Sequence, residues 1–255
     1  MSGAHAHALY VHGHSPIHRL APQCKLAAQL AFVLIVVATP KEAFWAFGVY
    51  AGILFGLTRL AELPFGFVAR RLVFEVPFIA FAILLPFIGR GEQVDVLGLS
   101  LSKAGLWGAW NIVAKATIGL GASIVVAATT TMPEFLRGFE RLRMPKALTS
   151  IASFMIRYAD VIANEMQRMK VARESRGYAP RWIWQARAIA SSAGALFIRS
   201  YERGERVYLA MLSRGYTGSL PRADEVPATA SAWLAAMTLP VVAALIATVA
   251  WVSVG

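Results

Sequence analysis

Five stretches of this chain are almost free of charge: Leu26–Thr39, Ala43–Leu57, Leu72–Ile88, Ala116–Thr131 and Ala228–Val254, interrupted only by Glu75. In hydrocarbon every backbone N–H and C=O must find its partner inside the protein, so such runs cross a bilayer as helices or as closed barrels. The composition supports a membrane reading: 57% of residues are hydrophobic and 15% charged, against about 25% charged in soluble domains. The first two runs are short against the ~20 residues of a full span, which a packed pair of helices tolerates better than lone anchors do. The expected fold is all-α: a polytopic membrane protein with about five transmembrane helices.

Prolines and charges punctuate these runs. Pro40-Lys41-Glu42 separates the first two, because proline removes a donor and disfavours helix before it. Arg59, Arg70 and Arg71 flank a Pro/Gly-containing loop, Pro77 and Pro86 lie inside the third run, and Gly89 to Ser102 reads as a loop with Glu92 and Asp95. Beyond Ala104 the chain turns apolar again, with Lys115 inside the stretch. The simplest account is an interfacial turn up to about Asn111, a Lys115 that snorkels to the headgroups, and a span beginning at Ala116. The lone cysteine, Cys24, excludes an internal disulfide and any CxxC metal site, and reads as a packing residue. A polar, His-rich start with no small-residue cleavage site after the first run reads as a retained anchor rather than a signal peptide.

The net charge of +11 would suit a nucleic-acid binder. Here the Lys and Arg sit beside apolar spans, the pattern of cationic loops kept on the cytoplasmic side, so the expected partner is a lipid bilayer and no nucleic acid. The segment 133–225 carries sixteen Lys/Arg against nine Asp/Glu. It and the loop around Arg59, Arg70 and Arg71 fall on one side if the N-terminus is cytoplasmic and the C-terminus external. The expected divisions are a polar tail, 1–25; four transmembrane helices, 26–132; cytoplasmic helices, 133–225; and a fifth transmembrane helix, 226–255.

The segment 133–225 is too polar to span and too long to be a loop. Pro133-Glu134 opens a short helix, with proline in the first turn and an acid near the positive dipole end, and Met144-Pro145 closes it. A second helix runs from Lys146 to about Arg176. Its Ile151, Met155, Tyr158, Ile162, Met166 and Met169 recur at steps of three and four, one stripe of a 3.6-residue helix, opposite Arg157, Asp160, Asn164, Arg168 and Lys170. It stops at Ser175-Arg176-Gly177-Tyr178, with Pro180 beyond, a glycine-then-proline stop. A third helix, from about Arg181, stops at Ser213-Arg214-Gly215-Tyr216. The likeness extends backwards at a constant offset of 38, Arg168 on Arg206 and Ala172 on Ala210. One local structure is made twice: a long helix whose tip carries arginine before a glycine turn. A planar guanidinium there suits fork-like pairing with a partner's carboxylate.

Three stretches resemble a known family, the transmembrane T components of energy-coupling factor (ECF) importers, in their CbiQ branch for cobalt or nickel. They are Ser15-Pro16-Ile17-His18-Arg19-Leu20-Ala21-Pro22-Gln23-Cys24-Lys25-Leu26; Thr131-Met132-Pro133 with Leu136, Leu142 and Pro145; and the pair Ser175-Arg176-Gly177 and Ser213-Arg214-Gly215. The last pair is similar to the family's two Ala-Arg-Gly coupling motifs, with Ser in place of Ala. The resemblance implies a non-catalytic subunit of the cytoplasmic (inner) membrane with crossed cytoplasmic helices. Its six motif residues would seat on two ABC-type ATPases, and ATP-driven motion would pass to a separate substrate-binding membrane subunit. The chain has no Gly-x-x-x-x-Gly-Lys-Ser/Thr loop, so ATP would be bound by those partners and no cofactor is expected in this chain. Two alternatives stay open: a T component serving a vitamin such as biotin, and an integral membrane enzyme. An enzyme would need a cluster of acids, histidines or a nucleophile at one face, and the spans offer mainly Glu75 and Lys115. All five histidines precede residue 19. Imidazole binds cobalt and nickel, so this tail is either a metal-collecting segment or a plain polar one.

Overall fold

The computed structural model of the chain describes residues 10–89, 93–96, 99–178, 187–218 and 228–254. The elements run α1 (Pro16–Arg19), α2 (Pro22–Ala38), α3 (Phe44–Leu60), α4 (Phe65–Arg71), a 3-10 turn (Leu72–Glu75), α5 (Val76–Ile88), β1 (Gln93–Val96), β2 (Leu99–Ser102), α6 (Lys103–Ala128), α7 (Met132–Arg141), α8 (Lys146–Ser175), α9 (Arg187–Leu212) and α10 (Ala230–Val254). The packing divides the chain into two compact units, one of Leu9–Leu142 with Pro227–Gly255 and one spanning Arg143–Val226.

The first unit holds the apolar helices. The runs Phe65–Ile88, Lys103–Ala128 and Ala230–Val254, of 24, 26 and 25 residues, are long and apolar enough to cross a membrane. With the shorter apolar helices α2 and α3 they make an all-α, multi-pass membrane protein. Large side chains such as Phe74 and Val252 are 76% and 84% exposed, as lipid-facing residues are. The core lies among α2, α3, α6 and α10, where Phe32, Val36, Phe47 and Tyr50 pack on Ala114, Ile118, Ala122 and Ala243. Alanines on α6 and α10 let the helices approach closely. The Tyr50 hydroxyl, fully buried, donates to the Ala243 carbonyl at 3.1 Å.

At 17 residues, α2 is only ~26 Å long, less than the ~30 Å hydrocarbon layer. Its last carbonyls would be orphans in that layer. Two side chains meet them: Lys115 Nζ donates to Val37 O at 2.7 Å and Trp251 Nε1 to Ala38 O at 3.2 Å. This corrects the sequence expectation around Lys115. There is no turn near Asn111; α6 is one helix from Lys103, and Lys115 lies in its middle, where its ammonium caps the end of α2. Glu75 likewise lies inside the run Phe65–Ile88 and not at a span end. It is buried and accepts from Thr117 Oγ1 at 2.6 Å. Two further differences are local. Most of the expected loop around Arg70 and Arg71 is helix α4, and the loop at 89–102 contains an antiparallel two-stranded hairpin with Gln93 opposite Ser102.

The other end of α6 is closed by the N-terminal stretch. Val11 N–H donates to Ala128 O at 2.9 Å. Lys25, 4% exposed, donates from Nζ to Thr129 O at 2.8 Å and lies 3.3 Å from both Thr130 Oγ1 and His18 O. A cation thus meets the negative end of a 26-residue helix. The His18 ring spans Ser15 Oγ (2.7 Å, at Nδ1) and Val11 O (3.0 Å, at Nε2). Part of what the sequence presents as a plain polar tail is therefore structural. Next comes α7, whose Glu134 carboxylate accepts from the Thr131 N–H at 2.7 Å, the expected capped start. Gly138 of α7 abuts α2 so closely that a Cβ there would meet Leu26 Cδ1 at 2.6 Å and the Pro22 backbone at 3.2 Å. Cys24 is a free, buried thiol, as expected of a packing residue.

Candidate functional site

The second unit consists of α8 and α9. The 30 residues of α8 make it ~45 Å long. The two helices run antiparallel where they meet: Arg199 Nη1 of α9 lies 2.6 Å from Glu165 Oε1 of α8, and Val207, Ala210 and Met211 face Ser153, Phe154 and Tyr158. Arg176 is eleven residues past Glu165 and Arg214 fifteen past Arg199 in the opposite direction. The two motif arginines therefore lie roughly 35–40 Å apart, at opposite ends of the pair.

The two ends repeat at atomic detail. After α8, Gly177 takes φ +76°, its N–H donates to Glu174 O at 3.0 Å, and Tyr178 N–H donates to Arg173 O at 3.1 Å. After α9, Gly215 takes φ +84°, its N–H donates to Leu212 O at 3.0 Å, and Tyr216 N–H donates to Met211 O at 3.0 Å. Both are Schellman ends: a glycine in the left-handed region, with one bond spanning three residues and one spanning five. Only glycine takes that φ without a steric cost, so the Ser-Arg-Gly order sets the arginine at the last half-turn, aimed off the helix. Arg176 and Arg214 are both exposed, and neither has an ion-pair partner among the described residues. The serines do not disturb this. Ser175 Oγ donates back to Val171 O at 3.0 Å and Ser213 Oγ to Ala210 O at 3.0 Å, so each hydroxyl is satisfied on its own helix.

At the Arg214 end the helices enclose a groove of about 720 Å³. Its polar wall includes Arg157, a residue the sequence shows only as one of several cations on the outer face of α8. Nothing local marks it, because its neighbour Arg214 is 57 residues away and meets it only through antiparallel pairing. Around Arg176 the corresponding stretch of α9 lies partly outside the described side chains. His5 and His7 also lie outside the described residues. His12 and His14 are exposed, both ring nitrogens of His18 are engaged, and no group of three metal-ligating side chains occurs among the described residues.

The family model for CbiQ, cobalt transport protein, matches residues 13–225. The chain is 25% identical over 227 residues to the energy-coupling factor transporter transmembrane protein EcfT of Listeria innocua, covering 84% of this chain and 85% of that one. It is 29% identical over 199 residues to the cobalt transport protein CbiQ of Rhodobacter capsulatus, covering 75% and 80%. A third relative, an uncharacterized protein of Methanocaldococcus jannaschii, is 28% identical over 177 residues, 64% of this chain and 59% of that one, so the match spans less than two thirds of that relative. A match that runs from the N-terminal clasp on α6 through both arginine-tipped helices leaves one assignment: the chain belongs to the CbiQ family and is a membrane component of the ECF transporter type.

Proposed function

We propose that this chain is the energy-coupling subunit of an ATP-driven importer in the cytoplasmic membrane, and that its cargo is cobalt or nickel ions. Two ABC-type ATPases dock on α8 and α9, one at Ser175-Arg176-Gly177 and one at Ser213-Arg214-Gly215. The observation that carries the reading is the doubled Schellman end, which presents at each end of the helix pair one guanidinium with no ion-pair partner among the described residues. The separation of roughly 35–40 Å exceeds the ~30 Å diameter of a small domain, so each end can seat its own partner. ATP is bound by those partners, and the chain itself does no catalysis. The cationic segment 133–225 faces the cytoplasm with the N-terminus.

A substrate-binding membrane subunit completes the assembly. On α8, Ile151, Met155 and Met166 of the apolar stripe are 57%, 68% and 56% exposed. An apolar stripe left open on a polar segment calls for a protein partner. The cobalt or nickel cargo draws its support from the family's description and from the name of the R. capsulatus relative.

The test is affinity capture of the ATPases with Arg176→Ala, Arg214→Ala and the double variant, alongside metal uptake in cells. Removing one member of a desolvated charge pair costs about 2–5 kcal/mol, so each single change should weaken one contact at least about 30-fold. The double change should release both ATPases while the subunit still inserts. Wild-type capture and uptake in the double variant would end the proposal.

A further inference from the structure

The groove beside Arg214 holds a second guanidinium. It is lined by Ser153, Phe154, Arg157 and Tyr158 from α8 and by Val207, Ala210, Met211 and Arg214–Thr217 from the end of α9. Arg157 is exposed, no ion pair engages it among the described residues, and no carboxylate lines the groove. Two cations without an ion-pair partner among the described residues share one notch with two tyrosines, Tyr158 and Tyr216. Like charges in one concavity are held there at a cost that an acidic occupant removes.

The doubled helix does not repeat Arg157 at its own counterpart position. Nineteen residues before Arg176 stands Arg157; nineteen before Arg214 stands Ala195. Exchange of α8 for α9 therefore carries the pair Arg157 and Arg214 onto Ala195 and Arg176. The backbone ends are alike, but the residue at this position is not.

We propose that Arg157 is a second partner-binding residue, which with Arg214 forms a two-cation seat for an acidic patch on one ATPase. This rests on the docking role of the two motif arginines. The ATPase seated at the Arg214 end is consequently held by two cations, and its binding weakens with salt.

The experiment is native mass spectrometry of the complex purified with its ATPases, counting ATPases per membrane subunit across a salt series. The variants are Arg157→Ala, Arg157→Lys, Arg157→Ala with Arg176→Ala, and Arg157→Ala with Arg214→Ala. Arg157→Ala should weaken one ATPase about tenfold, and Arg157→Lys should restore part of it. Combined with Arg176→Ala it should strip both ATPases; combined with Arg214→Ala it should leave one, because both cations serve the same seat. If Arg176→Ala and Arg214→Ala alone release nothing, the docking reading itself is wrong. If they release ATPases but Arg157→Ala leaves occupancy and salt dependence unchanged, only the two-cation seat is overturned. Loss of co-purifying phosphatidylglycerol from Arg157→Ala, with ATPase occupancy intact, would likewise overturn it by making the groove a lipid headgroup site.

Discussion

Exchanging Lys25 for Met keeps the side-chain length and removes the ammonium that closes the end of α6. Three acceptors lose their donor: Thr129 O at 2.8 Å, and Thr130 Oγ1 and His18 O at 3.3 Å. Their fates differ. Thr129 is 1% exposed, so no water replaces the ammonium, and an unsatisfied buried carbonyl costs about 1–3 kcal/mol. The Thr130 hydroxyl can rotate and the half-buried His18 carbonyl can take water, so they add little. Loss of a cation at the helix C-terminus adds about 0.3–1 kcal/mol. Against this stands the desolvation of the Lys25 ammonium, which the variant no longer bears. That gain is limited because three oxygens already surround the charge. The balance is a destabilisation of about 2 kcal/mol, or roughly 4–8 °C in Tm for a chain of this size. The chain supplies its own reporter, since Cys24, the only cysteine, is fully buried beside Lys25. Labelling of that thiol by a fluorogenic maleimide during a thermal ramp should begin earlier in Lys25→Met. Unchanged labelling with a Tm within about 2 °C of wild type would refute the reasoning.

Truncation of the tail should show a sharp boundary. Removing residues 2–9 should leave Cys24 labelling unchanged, whereas removing 2–14 deletes the Val11 amide on Ala128 and the Val11 carbonyl on His18 and should speed it. Gly138→Ala and Gly204→Ala should move Tm in opposite directions. Gly204 has open space around it, so the gain in helix propensity, about 0.8–1 kcal/mol, should appear in full. At Gly138 the same gain is opposed by backbone contact at 3.2 Å from Pro22, an overpacking cost of about 1–3 kcal/mol. A rise in Tm for Gly138→Ala equal to that for Gly204→Ala would contradict the close approach.

What the sequence makes legible is what depends on neighbours along the chain. The apolar runs, the amphipathic period of α8 and the two glycine stops are local, so helices and Schellman ends can be read from spacing alone. The ends of α8 and α9 fall where Ser175 and Ser213 predict. The cap that Lys115 places on α2 is not legible in the sequence, because its acceptor lies 78 residues away and nothing in the flanking Ala and Val points to it. The N-terminal stretch was legible as family-like but not as structure, because Val11 and Lys25 act on carbonyls more than a hundred residues later. Arg157 belongs to the same class, since antiparallel pairing of two helices brings it beside Arg214.

The position of α7 bears on how motion at the arginine tips could reach the spans. α7 packs with the spans, through Gly138 against Pro22 and Leu26, and the boundary between the two compact units falls after it, between Leu142 and Arg143. There the backbone is unusual: Arg143 takes φ +67°, a left-handed conformation that costs a residue with a Cβ about 1–2 kcal/mol, and Pro145 follows as the N-cap of α8. A close-packed glycine contact resists sliding, whereas a single strained turn rotates about a few dihedrals. α7 therefore belongs with the membrane unit, and the left-handed turn at Arg143 marks where the chain leaves it. The Lys25 clasp ties α2 to the end of α6 just ahead of α7, so the clasp and the Gly138 contact together hold α2, α6 and the start of α7 as one packed group.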